Sequence, residues 1–362
     1  MEAPTTEPLP LESVRVLEIG GGIPAAYATH WLAGFGATVV RVEPEVEHLT
    51  PDEAVYLLPG KHRVRASQHE LLALARAADI IVEDGPPGAL AARGIDPAHL
   101  RTENPALVIV SITPYGQDGP YATFPATNIT AFAMGGIMSL TGMHQREPLV
   151  TGGSQALYLG GLDAAGAAIT AYYAALVHGE GDWIDISLQE CMAGMLELYG
   201  PRGAAEGEVT LRAGNHVRAI WALYPCADGF AGVCALERQV PALFALLDDP
   251  ELDHPRFRDP IERANWDDEL QAKLYAWFAE HTKAELLELG ARHRVPIGAV
   301  VTPLELLDNP TLHERRFFDT IPTPTGTARV PGRPFLGLPW RPGTLAEPVP
   351  ASQILPLWSD RP

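Results

Sequence analysis

Between residues 14 and 112 the chain sets short apolar runs against helical stretches, and this alternation limits the fold more than any other feature. The runs are Val14 to Ile19, Ala37 to Val42, Ile80 to Val82 and Ala106 to Ile112; helical patterns fill Ala25 to Gly34 and His69 to Ala78. Runs this short, apolar at nearly every position, suit strands buried on both faces. Strands separated by helices return in the same direction, which predicts an α/β fold with a parallel sheet covered on both sides.

The first run ends at Gly20-Gly21-Gly22, and a helix follows. Gly20-x-Gly22-x-x-Ala25 meets the loose form of a dinucleotide-binding fingerprint, with Glu43 at the end of the second strand as its acid. In that reading the glycines admit a pyrophosphate to a helix N-terminus and the acid holds a ribose. A tight strand-to-helix turn that only packs helix on strand explains the same residues, and no residues for a nicotinamide end can be picked out. Both readings stay open at this point.

Residues 128 to 200 read as mostly helical around one strand, Trp183 to Leu188, whose WIDISL alternates with period two; a helix over Gln189 to Tyr199 follows. Leu223 to Ala235 has the form of a hairpin turning at Asp228-Gly229. The region from Glu237 to His293 is helical, with an acidic start at Asp267-Asp268-Glu269, and the last forty residues are Pro-rich and irregular. Leu157 to Val177 is apolar but Ala/Gly-rich and carries Asp163, Tyr172 and Tyr173, which suits a buried helix better than a membrane span.

A formal charge of −19 repels phosphate backbones and anionic membranes, so neither nucleic acid nor a membrane is expected as a partner. An anionic ligand needs a local basic pocket to overcome that field. Cys191, Cys226 and Cys234 are too few for a disulfide framework and lack CxxC spacing for zinc. They read as buried thiols of a reducing compartment; with an acidic, Pro-rich N-terminal stretch, a cytoplasmic protein without metal is expected.

Several longer segments resemble the class III CoA-transferase superfamily, the CaiB/BaiF type that includes formyl-CoA transferase and alpha-methylacyl-CoA racemase branches. LESVRVLEIGGGIPAAYATHWLAGFGATVVRVEPE resembles the opening strand, turn, helix and second strand. PGKHRV, ADIIVEDGPPGALAARGID, ENPALVIVSITPYGQDGPYA, MGGIMSLTG, GEGDWIDISLQE and RVPIGAVVTPLELLDNPTLHERRFF follow in the family's order, over almost the whole chain. The resemblance implies a Rossmann-like large domain over residues 1–215, a smaller α+β domain over 225–320, and a segment over 321–362 that returns to the large domain. It also implies two chains interlocked like links and a substrate of coenzyme A or acyl-CoA.

The same resemblance implies a departure. The family's transferases attack the acyl thioester with an aspartate, which must be a nucleophile and then become an activated acyl group. Counting from Pro148 to Gly161, that position is Leu157, with Tyr158 beside it. The nearest carboxylate, Asp163, lies six residues on. The racemase histidine corresponds to Thr127, ahead of Asn128, and Glu237 resembles the glutamate that supports it. His216, in Gly214-Asn215-His216, borders the expected pocket. For the nucleotide, the resemblance implies contacts from Gly22, Ile23, Lys61, Arg63, Ala89 and Arg93; Lys61 matches a lysine near the CoA phosphates and Ala89 a small residue at the adenine. Two family arginines correspond to Pro44 and Ala92, and an asparagine corresponds to Asp84, which repels phosphate. Three functions follow: a diverged enzyme handling an acyl-CoA or acyl-like substrate without the aspartyl intermediate, a non-catalytic subunit beside an aspartate-bearing paralogue, or a recruited binding protein that no longer uses CoA.

Overall fold

The apolar runs pair in parallel. Strands β1 (Arg15–Ile19), β2 (Thr38–Val42), β3 (Lys61–Arg65), β4 (Ile80–Glu83), β5 (Val108–Thr113) and β6 (Trp183–Ser187) lie in the order β3-β2-β1-β4-β5-β6. A short strand, Val349–Pro350, adds in parallel beyond β3. Every residue of β4 and β5 is buried, because both faces are covered. On one face Val16, Val39, Val82 and Val110 pack under helix α1 (Ile23–Gly34) and the long helix Gln155–His178. On the other, Leu17, Val40, Ile81 and Ile109 pack with Leu71 and Leu74 of helix Gln68–Ala77 and with Trp358. The strand order reverses between β1 and β4, and a doubly wound sheet opens a crevice beyond the carboxyl ends of its strands at such a point.

This computed structural model describes residues 8–197, 199–207, 210–218, 220–323 and 326–359, and the chain divides into two compact units. The sheet belongs to the first, residues 1–138, 150–208 and 310–362. The second, residues 139–149 and 209–309, has its own core around an antiparallel sheet of β7 (His216–Arg218), β8 (Trp221–Cys226), β9 (Gly229–Cys234) and β10 (Ile297–Ala299). Tyr224, Ala231 and Val233 pack there against Leu270, Leu274 and Phe278 of helix Asp267–Ala279. Helices on both faces of a parallel sheet, plus a small antiparallel sheet, make the α/β class that was expected.

Three local expectations need correction. The hairpin turns at Ala227-Asp228, and Gly229 already belongs to β9, paired with Cys226. The helix after β6 is Leu188–Gly194, shorter than expected and separate from a helix that begins at Tyr199. The Pro-rich end is not wholly irregular: Phe318–Thr323 pairs antiparallel with Gly326–Pro331, and helix Leu355–Ser359 follows the edge strand. Among the described residues, no helix is long and apolar enough to cross a membrane.

The long helix and α1 touch through small residues, as the run LGGLDAAGAA requires. A Cβ on Gly161 would stand 2.7 Å from the Pro24 carbonyl oxygen, and one on Gly160 2.1 Å from Leu188 Cδ2. This close approach sets the first turn of the long helix, and Leu157 with it, beside the turn that follows β1.

Candidate functional site

The crevice at the strand reversal is a cavity of about 550 Å³. Its floor is the turn Gly20–Pro24 after β1. Pro44 after β2, Glu83 and Asp84 at the end of β4, and Ile112 and Pro114 of β5 form the adjoining wall. Ala89 and Arg93 close one side, and Thr127, Leu157 and Leu188 the other. Of the residues singled out in the sequence, Gly22, Ile23, Asp84, Ala89, Arg93, Thr127 and Leu157 therefore meet in one cleft.

Asp84 sits in the glycine turn. Its Oδ2 accepts from the backbone N–H of Gly22 at 3.1 Å and of Ala25 at 3.2 Å. Burial pushes this carboxyl up to about 6, against the pull of the backbone donors. The neighbouring Glu83 accepts from Gly85 N at 2.8 Å and is almost fully enclosed; burial pushes it up to about 7, with Ser111 and Gly85 pulling the other way. With Glu45, three carboxyls thus line a cleft whose described walls hold one arginine, Arg93, and one histidine, His48.

Lys61 and Arg63, expected to contact a CoA phosphate, do not line this cleft. Lys61 is buried beneath α1, and its Nζ donates to Glu18 Oε2 at 2.8 Å, Ala26 O at 2.7 Å and Thr29 Oγ1 at 2.7 Å. An ammonium has three donors, so none is left for a ligand. Burial brings this lysine down to about 8, with Glu18 opposing. Burial also works to raise the Glu18 carboxyl, but Lys61 and Arg41 outweigh it and hold Glu18 below its ordinary value. Arg63 is engaged by Glu43 through a two-pronged pair, Nε–Oε1 2.9 Å and Nη2–Oε2 2.8 Å, and also reaches Ala346 O. Glu43, the ribose acid of the fingerprint reading, is thus paired with Arg63 and does not line the cleft.

The pocket candidates around the long helix divide similarly. Asn128 caps that helix: its Oδ1 accepts from Ala156 N at 3.0 Å and its Nδ2 donates to Gly153 O at 3.2 Å. It therefore positions Leu157 without lining the cleft. Thr127 lines the cleft, and its backbone N–H donates to Thr130 Oγ1. Tyr158 turns the other way, into an aromatic cluster where its ring meets Tyr27 edge-on at 4.9 Å. Asp163 is exposed on the long helix and shares a hydrogen bond with Cys191 rather than facing the cleft. Glu237 belongs to the second unit, where it pairs with the buried Arg263. His216 lies on β7, and its side chain is outside the described residues.

Sequence reasoning missed Glu18 and Thr29, which hold Lys61, and Arg41, which holds Glu18; together they brace β1, β2 and β3 from within. The one available signal is Glu18 itself, a carboxylate inside the apolar run VRVLEIG. A buried acid of this kind needs a cationic partner. Chemically the cleft offers a hydrocarbon wall at Leu157, three carboxyls and one guanidinium. Among the described residues, no group of His, Cys, Asp and Glu is arranged to hold a metal ion.

A model of CoA-transferase family III matches residues 63–352. Succinyl-CoA–D-citramalate CoA-transferase of Chloroflexus aurantiacus is 28% identical over 331 residues, covering 84% of this chain and 81% of that protein. A subunit of the succinyl-CoA:(R)-benzylsuccinate CoA-transferase of Thauera aromatica is 28% identical over 360 residues, covering 89% and 86%. Among solved structures, a CAIB/BAIF family protein from Brucella suis superposes with a TM-score of 0.85 at 26% identity, covering 97% of this chain and 100% of that one.

Proposed function

We propose, from the premise that this chain belongs to CoA-transferase family III, that the cleft between β1 and β4 takes an acyl-CoA-type ligand and that the chain forms no aspartyl intermediate with it. One observation carries this reading. Leu157, the position that the family resemblance gives to the nucleophile, is a wall of the same cleft that holds Gly22, Ile23, Ala89 and Arg93. A leucine there supplies apolar contact to an acyl group and has no electron pair with which to attack a thioester. Asp163 is no substitute, because it is exposed and bonded to Cys191. With Lys61 and Arg63 held by Glu18 and Glu43, the nucleotide contacts proposed here are the turn at Gly22 and Ile23, the small residue Ala89, and Arg93.

The test is transfer between a donor acyl-CoA and an acid acceptor, with hydroxylamine added to trap any anhydride or enzyme thioester. The expected result is no trapped adduct and no ordinary CoA transfer by the chain alone. Robust transfer with an adduct on Asp163 would overturn the proposal.

A second reading has one finding in its favour: the Thauera aromatica relative is itself named as a subunit. On that reading this chain pairs with an aspartate-bearing paralogue and contributes structure. Activity that is absent from either chain alone and appears on mixing distinguishes this reading from the first.

A further inference from the structure

The glycine turn after β1 already holds an anion, and that anion belongs to the protein. The backbone N–H groups of Gly22 and Ala25 donate to Asp84 Oδ2. These are the free donors that the start of a helix offers to a phosphate. The fit is close: a Cβ on Gly20 would stand 2.1 Å from Asp84 Oδ1, and one on Gly22 2.6 Å from Oδ2. The fingerprint glycines therefore make room for a side chain from the end of β4. No ligand is needed to explain them.

The charges around Asp84 divide into two groups. Within the cleft lining stand Glu45 and Glu83 against Arg93 and His48. From the sheet side Glu18, Arg41 and Lys61 act on it, but Glu18 is neutralised by the two cations it binds. The carboxylate nearest the α1 N-terminus is that of Asp84, which accepts from two of its N–H groups.

We infer that Asp84 sets how tightly this cleft holds a phosphate-bearing ligand: while it is ionised the glycine cradle is filled by a protein anion and such ligands are held weakly, and removing that one charge strengthens their binding. The inference rests on the cleft being the CoA-ligand site proposed above. Asparagine at this position keeps the architecture, since its Oδ1 serves Gly22 and Ala25 as acceptor while its Nδ2 offers the cleft a donor. The carboxyl is pushed up to about 6 by burial, so its charge changes within a workable range. If only the neutral form binds, the apparent Kd is the intrinsic value divided by the neutral fraction, which makes binding about 80-fold weaker at pH 8.0 than at pH 5.5.

The test is calorimetric titration of the full chain and of Asp84→Asn with 3′-dephospho-CoA from pH 5.5 to 8.0. The pyrophosphate of this probe keeps a constant charge over that range, so a pH dependence belongs to the protein. Pantetheine serves as the uncharged control. Wild type is expected to lose affinity for dephospho-CoA by about 80-fold across the range. Asp84→Asn is expected to bind more tightly than wild type at pH 8.0 and to lose less affinity across the range, the remaining loss coming from Glu83, with pantetheine indifferent to both changes. Equal affinity and equal slope in the two proteins overturns the role of Asp84 and leaves the cleft standing as the ligand site. If neither protein binds dephospho-CoA at any pH while both unfold cooperatively in urea, the cleft is not the CoA site and both readings fall.

Discussion

Lys61→Met separates a structural lysine from a ligand-binding one. Methionine keeps the apolar stem and deletes the charge, leaving Glu18 buried with two of its three partners: Arg41 Nε at 2.9 Å and the Thr29 hydroxyl at 2.5 Å. The Lys61–Glu18 contact at 2.8 Å is a gross attraction of about 6 kcal/mol at an effective dielectric of about 20, and desolvation of the ammonium cancels much of it. Removing one partner of a buried pair costs about 3–5 kcal/mol; the surviving Arg41 contact argues for the lower end, about 3 kcal/mol. At a urea slope of roughly 3 kcal/mol per molar, the unfolding midpoint of the first unit should fall by about 1 M. The double variant Glu18→Gln/Lys61→Met should recover part of that loss, because no carboxylate is then left underpaired and Arg41 keeps Glu47 at 2.8 Å. Affinity for 3′-dephospho-CoA, measured in the same preparations, should not change. An unchanged urea midpoint together with a tenfold loss of affinity would refute the placement of Lys61 in the core.

Other outcomes follow from the same geometry. Leu157→Asp returns a carboxylate to the cleft wall; hydroxylamine should then trap an adduct at residue 157 only if a thioester reaches that wall, which mass spectrometry of the peptide decides. Glu83 and Asp84, raised to about 7 and about 6, make the native chain bind more protons than the unfolded one below those values. Stability should therefore rise as the pH falls from 8 toward 5, and Glu83→Gln should flatten that rise in a urea series. The Glu18 carboxyl is held below its ordinary value of 4.5, so its contribution is complete above that pH and is lost in stronger acid, reversing the trend. The long helix leaves Tyr173, Leu176 and Val177 more than half exposed, an apolar end that suits a partner chain. Sedimentation should show a dimer, and Leu176→Glu should weaken it.

Much of this was legible because it is local. Apolar runs mark β1, β2, β4 and β5 directly, and alternation marks β6. β3 escaped notice because KHRVR has no apolar period; Lys61 faces inward only because Glu18, from another strand, neutralises it. The same distance hid the use of the site residues. Asn128 looked like a pocket residue, yet its amide is spent on Gly153 and Ala156. Glu43 looked like a ribose acid until Arg63 was found paired with it. Asp84 was legible as a charge that repels phosphate, but its lodging inside the glycine turn depends on how β1 and β4 lie side by side. A motif states which groups are present, and the sheet decides which of them still have a free lone pair or proton.

The outer edge of the first sheet has a consequence for how the chain is made. Val349 and Pro350 pair with Val64 and Arg65, and Arg15 donates to the carbonyl of Trp358 at 2.7 Å. On the ribosome the β3 edge therefore emerges long before its cover. At about 5–20 residues per second that edge waits on the order of 15–60 s, while the whole of the second unit is synthesised in between. An open strand edge is a template for pairing with other nascent chains. The basic, exposed side chains of β3, His62 and Arg65, are the kind of residue that discourages such pairing. Replacing them with valine should leave the finished protein folded yet lower its soluble yield during synthesis, a loss restored by slowing growth or by supplying a chaperone that binds extended segments.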